Sequence, residues 1–184
     1  MWNNRNGQPL VIGFAGKARS GKDTAGKYLV DEYQFLRYSF AQPLKDATKI
    51  MFHLTDKQIE NKEKPAEPWG RSPRDLYQLL GTDIARTIDV NVWVKGADIF
   101  MRENPSRSIV VTDVRFSNEA FWIRSQGGIV VYLQSDTRGI DENSGHSSEN
   151  GLQGDDVDII IQNDGTINAL HEKLEELKTE RSFA

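Results

Sequence analysis

Leu10-Val11-Ile12-Gly13-Phe14-Ala15-Gly16-Lys17-Ala18-Arg19-Ser20-Gly21-Lys22-Asp23-Thr24 is the stretch that decides how this chain folds. Residues 10–15 form a short apolar run, the pattern of a strand buried on both faces. A turn occupies residues 16–21. Residues 22–33 then carry Ala25, Tyr28 and Leu29 at helical spacing. A strand, a Gly-x-x-x-x-Gly-Lys turn and a helix together make an anion cradle, because glycines let backbone N–H groups face the anion at the helix N-terminus. On this reading Gly16, Lys17, Arg19, Ser20, Gly21 and Lys22 surround nucleotide phosphates, and Lys22 reaches the β and γ oxygens as a point charge. The competing reading is an ordinary glycine-rich strand-to-helix turn. The usual pattern has Ser or Thr after the lysine, whereas here Asp23 stands there and Thr24 follows. Phosphates would repel a bare carboxylate, so Asp23 makes sense as a Mg²⁺ ligand, directly or through water. Alternatively Thr24 takes that role, although it points about 100° further round the helix.

Beyond this stretch, residues 36–41 read as a second strand. Pro43 stands at a first-turn position ahead of a stripe of Leu44, Ala47, Ile50 and Met51. Thr55 with Gln58 fits a capping box for a short helix to about residue 62. Residues 62–72 hold Pro65 and Pro68 and read as a surface loop. Ser72-Pro73 predicts an N-cap and a first helical position, with Leu76, Leu79, Leu80, Ile84 and Ala85 continuing the helix to residue 86 or 88. A further helix is expected over 92–103. Residues 108–113 predict a strand ending in a carboxylate, and residues 117–126 a helix closed by Gly127-Gly128. The next strand is expected over 129–133, and residues 134–154 read as a loop or lid. A last strand is expected over 157–161, interrupted by Asp158. Asn163-Asp164-Gly165 then turns into a closing helix capped by Thr166, with Ile167, Leu170, Leu174 and Leu177 on one face. Strands alternating with helices predict an α/β sandwich around a mostly parallel sheet. With 184 residues and about 150 residues per domain, one domain over 1–184 is expected.

Composition narrows the chemistry. The chain has no cysteine, which excludes disulfides, thiolate metal sites and cysteine nucleophiles. Its three histidines, His53, His146 and His171, lie far apart. What remains suits phosphoryl transfer, which needs charge and positioning more than a nucleophile. Twenty-three Lys and Arg against 27 Asp and Glu leave a net charge of -4, which argues against a nucleic acid polymer or an anionic membrane as partner. No apolar run is long enough to cross a bilayer. The opening residues lack the apolar core of a secretion signal, so a cytoplasmic protein is expected. Asp113 ends its strand where a second magnesium-site carboxylate would stand; the alternative is a turn aspartate. Arg71, Arg74 and Arg86 cluster around the Ser72 helix, with Gln78 on the Arg74 face and Arg115 two residues after Asp113. Trp69 and Trp93 flank that region, as base-stacking or packing side chains.

Taken in order, these motifs resemble the bacteriophage-type deoxynucleoside monophosphate kinases over about residues 11–174. The phosphate turn with its unusual Lys22-Asp23 is one part. The others are Ser39-Phe40-Ala41-Gln42-Pro43-Leu44-Lys45, Trp69-Gly70-Arg71-Ser72-Pro73-Arg74, Leu79-Leu80-Gly81-Thr82-Asp83, Asp113-Val114-Arg115-Phe116-Ser117-Asn118-Glu119-Ala120, His146-Ser147-Ser148-Glu149 and Asn163-Asp164-Gly165-Thr166. The resemblance implies a three-layer P-loop kinase fold, with a mostly parallel five-stranded sheet and helices on both faces. It implies a helical monophosphate-binding insert at 43–104 and a lid-like loop at 134–154. The implied reaction is ATP + dNMP → ADP + dNDP. Gly16, Lys17, Arg19, Ser20, Gly21, Lys22, Asp23 and Thr24 would hold ATP, and Asp23, Thr24 and Asp113 would hold Mg²⁺. Lys45, Arg71, Arg74, Gln78, Arg86, Trp93 and Arg115 would serve the monophosphate.

Lys22, Arg115 and Arg138 would spread the charge of the transferring group. Arg138 would do so by closing over it, unless it is only a surface charge of the loop. Glu119 would support an arginine or simply favour its helix N-terminus. His146 and Glu149 would form a local cap or lid contact. Asn163 and Asp164 would lie beside the adenine or only form the turn. Relatives of this kind are compatible with a homodimer, in the host cytoplasm if the chain is of phage origin. A Gly-Lys-Asp turn also resembles animal-type phosphomevalonate kinases, which leaves another small phosphorylated acceptor as an alternative. A nucleotide-dependent switch or binding module is the alternative outside enzymes, although no Asn-Lys-x-Asp base-reading motif is present.

Overall fold

Residues 10–15 supply the central strand of a five-stranded sheet in which every neighbouring pair is parallel. The computed structural model describes residues 2, 7–136, 152 and 154–180. The strands are β1 (Val11–Ala15), β2 (Leu36–Tyr38), β3 (Ile109–Val111), β4 (Ile129–Gln134) and β5 (Ile159–Gln162), in the spatial order β2-β3-β1-β4-β5. β1 is buried along its whole length, which explains its unbroken apolar sequence. Its register sets Val11 against Ile109 on one side and Ile12 against Ile129 on the other.

Ile12 and Phe14 of β1 pack with Ala25 and Leu29 of α1 (Lys22–Tyr33) and with Leu170, Leu174 and Leu177 of α8 (Ile167–Glu180). Alternation along the strand turns Gly13 to the opposite face. There a Cβ would lie 2.3 Å from Ile123 of α7 (Ser117–Ser125). Helices therefore cover both faces, and the fold is a three-layer α/β sandwich.

The chain divides into two compact units, one of Met1–Ser39 with Asp98–Ala184 and the other Phe40–Ala97. The second is helical, with α2 (Gln42–Met51), α3 (Asp56–Glu60), α4 (Pro73–Gln78), α5 (Ala85–Ile88) and the first half of α6 (Val92–Glu103). Leu54, Ala66 and Leu76 are buried in a small core of their own, with Phe52 and Ile59 against them.

Several expected boundaries moved for identifiable reasons. The second strand stops at Tyr38 rather than residue 41, because Ser39 turns its hydroxyl to Asp113 and the chain enters α2 three residues later. The helix begun by Ser72 does not run on regularly. Residues Leu79–Ile84 form a π-helical turn between α4 and α5. The last strand starts after Asp158, whose carboxylate accepts from the Val130 N–H at 2.7 Å and from Arg124 Nε at 3.0 Å. Thr55 with Gln58 and Ser72 with Asp75 form the capping boxes read from their spacing. Residues 137–151, with Arg138, His146 and Glu149, lie outside the described residues.

Candidate active site

In the sheet-bearing unit, β1 runs into the glycine turn and the turn runs into α1. Gly16 has φ +134° and Gly21 φ +102°, conformations that side chains rarely adopt. Space forbids a side chain there as well. A Cβ on Gly16 would lie 2.4 Å from the Leu133 carbonyl oxygen, and one on Gly21 would lie 2.4 Å from Asn163 Nδ2. Arg19 adopts φ +61° without being glycine, a local strain of the kind concentrated at functional turns.

The Lys22 ammonium is folded back on this turn. Nζ donates to the carbonyl oxygens of Gly16 at 2.8 Å and Lys17 at 2.5 Å, and to Ser20 Oγ at 3.4 Å. Burial pushes its pKa down to about 8, and the nearby Arg115 guanidinium pushes the same way. Asp23 and Asp113 oppose them with smaller effect.

Both carboxylates are held in turn. Asp23 accepts from the Arg37 guanidinium and from Thr112 Oγ1 at 3.3 Å, and Arg37 also donates to Thr112 Oγ1 at 3.0 Å. Asp113 accepts from Ser39 Oγ at 2.7 Å. Glu119, buried in the first turn of α7, accepts from the backbone N–H groups of Arg115 at 2.8 Å and Phe116 at 3.1 Å. It thus supports Arg115 through the main chain. Tyr38 lies against Phe100, with ring centroids 5.0 Å apart. Burial and the negative charges of Asp113 and Glu119 raise its phenol to about 12, so it stays protonated.

Thr24 is half-buried in the first turn of α1. Among the described residues no three Asp, Glu or His side chains form a metal-holding group. Asp23, Thr24 and Asp113 carry oxygen donors of the kind Mg²⁺ takes in a phosphate complex. That ion takes one or two carboxylates and fills its other positions with water and phosphate oxygens.

The helical unit holds most of the arginines expected on the monophosphate side. Arg74 Nη1 donates to Glu63 Oε1 at 2.7 Å. Arg86 Nη1 donates to the Val90 carbonyl at 3.1 Å, and Gln78 shares the α4 face of Arg74. Lys45 and Arg71 are exposed. The Trp93 indole donates to the Gly81 carbonyl at 3.0 Å, inside the π-helical turn. A Cβ on Gly81 would lie 2.3 Å from Leu44 Cδ2, so a larger residue there would turn that side-chain end aside. Trp69 donates to the Phe52 carbonyl at 2.8 Å and meets the Phe52 ring edge-on, which is packing.

The structure thus brings Lys22, Asp23, Asp113 and Arg115 together in one unit, and Arg74, Gln78, Arg86 and Trp93 belong to the other. The sequence reading missed Arg37, Ser39 and Thr112, whose partners are distant in the chain. It also missed Glu63, and Asn163 as a buried neighbour of the turn. Thr112 had the only local signal, as the hydroxyl beside Asp113 at a strand end.

A sequence profile of the deoxynucleotide monophosphate kinase family matches residues 10–69 and 49–174. A protein of Acanthamoeba polyphaga mimivirus whose name places it in that family is 36% identical over 186 residues, covering 90% of this chain and 94% of its own. The deoxynucleotide monophosphate kinase of Escherichia phage RB69 is 32% identical, over 91% of this chain and 98% of its own. Among solved structures, the Thermus thermophilus protein TT1252 superposes with a TM-score of 0.51 at 16% identity, over 94% of this chain and 98% of that one. At that identity the likeness speaks for the fold alone.

Proposed function

The chain belongs to the deoxynucleotide monophosphate kinase family, and from that premise we propose that it transfers the terminal phosphoryl group of ATP to a deoxynucleoside 5′-monophosphate. An oxygen of the monophosphate forms a bond to the γ-phosphorus. The bond from that phosphorus to the bridging oxygen breaks, and the electron pair leaves on the β-phosphate of ADP. The acceptor oxygen is already anionic, so the protein has little proton chemistry to perform and works by positioning and charge.

The observation that carries this reading is the glycine turn itself, with Gly16 and Gly21 in conformations and spaces closed to side chains and the Lys22 amine folded onto the Gly16 and Lys17 carbonyls. In this reading Gly16, Lys17, Arg19, Ser20, Gly21 and Lys22 bind the ATP phosphates. Asp23, Thr24 and Asp113 would hold Mg²⁺, which when bound neutralises phosphate charge. Lys45, Arg71, Arg74, Gln78, Arg86 and Trp93 of the helical unit, with Arg115, bind the monophosphate. Lys22 and Arg115 also stabilise the charge of the transferring group. The substrates are small molecules of the cytoplasm, which is where this reading puts the protein.

The test is to incubate the protein with ATP, Mg²⁺ and each of the common deoxynucleoside monophosphates separately, and to resolve the products by anion-exchange chromatography. The expected result is a diphosphate from at least one of them, formed one-for-one with ADP. Slow ATP hydrolysis with no diphosphate from any acceptor overturns the proposal.

A further inference from the structure

The phosphate turn is held from behind by one buried side chain. Asn163 follows β5 and is 3% exposed, deeper than a residue that merely forms a surface turn. Its Nδ2 donates to the Ser20 carbonyl oxygen at 2.9 Å, across 143 positions of sequence. Its own backbone N–H donates to the Gln134 carbonyl at 2.7 Å, at the end of β4. The end of β4 touches the turn as well, through the Leu133 carbonyl that leaves no room for a Cβ at Gly16.

The Ser20–Gly21 peptide is planar and trans, so its C=O and N–H point in opposite directions. With the Ser20 oxygen fixed on Asn163, the Gly21 N–H is turned away from Asn163. Gly21, at φ 102° and ψ 7°, is the residue type that tolerates this peptide orientation. Among the described residues the Gly21 N–H makes no hydrogen bond.

We propose that Asn163 is a positioning residue for the phosphate turn. It locks the Ser20–Gly21 peptide so that the Gly21 N–H is presented to a nucleotide phosphate, and it takes no part in reading the base. This rests on the reading of the turn as the ATP phosphate site. An amide side chain suits the task because it brings a donor to a carbonyl. A carboxylate in the same place would set two acceptors against each other and favour the flipped peptide.

The experiment compares wild type with Asn163→Asp and Asn163→Ala by calorimetry, using ATP and inorganic tripolyphosphate, which has phosphates and no base. Loss of a buried hydrogen bond of this kind predicts about ten- to a hundredfold weaker binding of both ligands, to the same extent. In turnover, the KM for ATP rises, the KM for the monophosphate stays within about twofold, and the preference for ATP over GTP is unchanged. If Asn163→Asp does not fold, Asn163→Ala decides by the same comparison, and Asn163→Ser, which keeps a donor hydroxyl, falls between it and wild type. Weakened ATP with unchanged tripolyphosphate overturns the inference by making Asn163 a base contact. Unchanged binding of both overturns it too. Failure of the wild type to bind either ligand overturns the phosphate-site reading itself and the inference with it.

Discussion

Lys22 should take up a proton when ATP binds, and the size of the uptake follows from the structure. In the nucleotide-free turn the amine titrates at about 8, chiefly through burial and secondly through Arg115. At pH 8 about half of the molecules therefore carry a neutral Lys22. The ATP phosphates restore the charged form by placing several negative charges beside it, so binding draws about half a proton per ATP from the medium at pH 8 and about a tenth at pH 7. The phosphate groups of ATP do not confuse the reading at pH 8, since a terminal phosphate with a last pKa near 6 is already ionised. Titrating ATP calorimetrically in two buffers of different ionisation enthalpy gives the uptake from the difference in heats. Lys22→Met should abolish it along with turnover. Arg115→Ala should reduce it by letting the lysine pKa rise. The unfolded chain, with Lys22 near 10.5, binds more protons than the folded one between about pH 8 and 10.5. Lys22 thus costs the empty fold up to roughly 3 kcal/mol below pH 8, and the cost fades as pH rises through that window. No uptake by wild type at pH 8, or equal uptake by Lys22→Met, would show that Lys22 does not take up the proton.

Three further outcomes are expected. Glu119→Gln replaces a buried carboxylate that accepts two backbone N–H groups, and should lower stability by about 1–3 kcal/mol in urea titration while reducing kcat through a loosened Arg115 turn; unaltered stability and kcat would dismiss that role. Gly81→Ala drives a Cβ to 2.3 Å from Leu44 Cδ2, the end of a side chain that can turn aside, and the helical preference of Ala offsets the strain, so thermal unfolding should change by no more than about 1 kcal/mol; a larger loss would show that Leu44 cannot move. Arg74→Ala should raise the KM for the monophosphate about tenfold or more with the KM for ATP unchanged; unchanged monophosphate saturation removes Arg74 from the acceptor site.

What could be read from the sequence were the features whose causes are local. The strand, glycine turn, lysine and helix over residues 10–33 are specified by neighbours in the chain, as are the boxes of Thr55 with Gln58 and Ser72 with Asp75. The π-helical turn at Leu79–Ile84 was not readable, because a 3.6-residue apolar pattern accommodates one extra residue without losing its stripe. Pairings between distant segments were equally silent. Arg37 reaches Asp23 from the sheet's edge strand, Ser39 reaches Asp113 across 74 positions, and Asn163 reaches Ser20 across 143. No spacing rule connects such partners, because parallel strands bring together residues that the chain separates widely.

That division bears on how an acidic chain can seek an anion. The net charge of -4 describes the whole chain, whereas the site is governed by the burial of Lys22 and the charges that act on it. Its two neighbouring carboxylates are each already committed, Asp23 to Arg37 and Thr112, and Asp113 to Ser39. They raise the lysine pKa by less than burial and the Arg115 charge lower it, so it stays depressed. A depressed lysine beside a turn whose Ser20–Gly21 peptide is held by Asn163 is a site short of negative charge, with that peptide in place before any ligand arrives. Phosphates entering there relieve the lysine and satisfy the amides at once. The pKa shift and the affinity for ATP therefore share one cause, and a substitution that corrects the first without ligand should weaken the second.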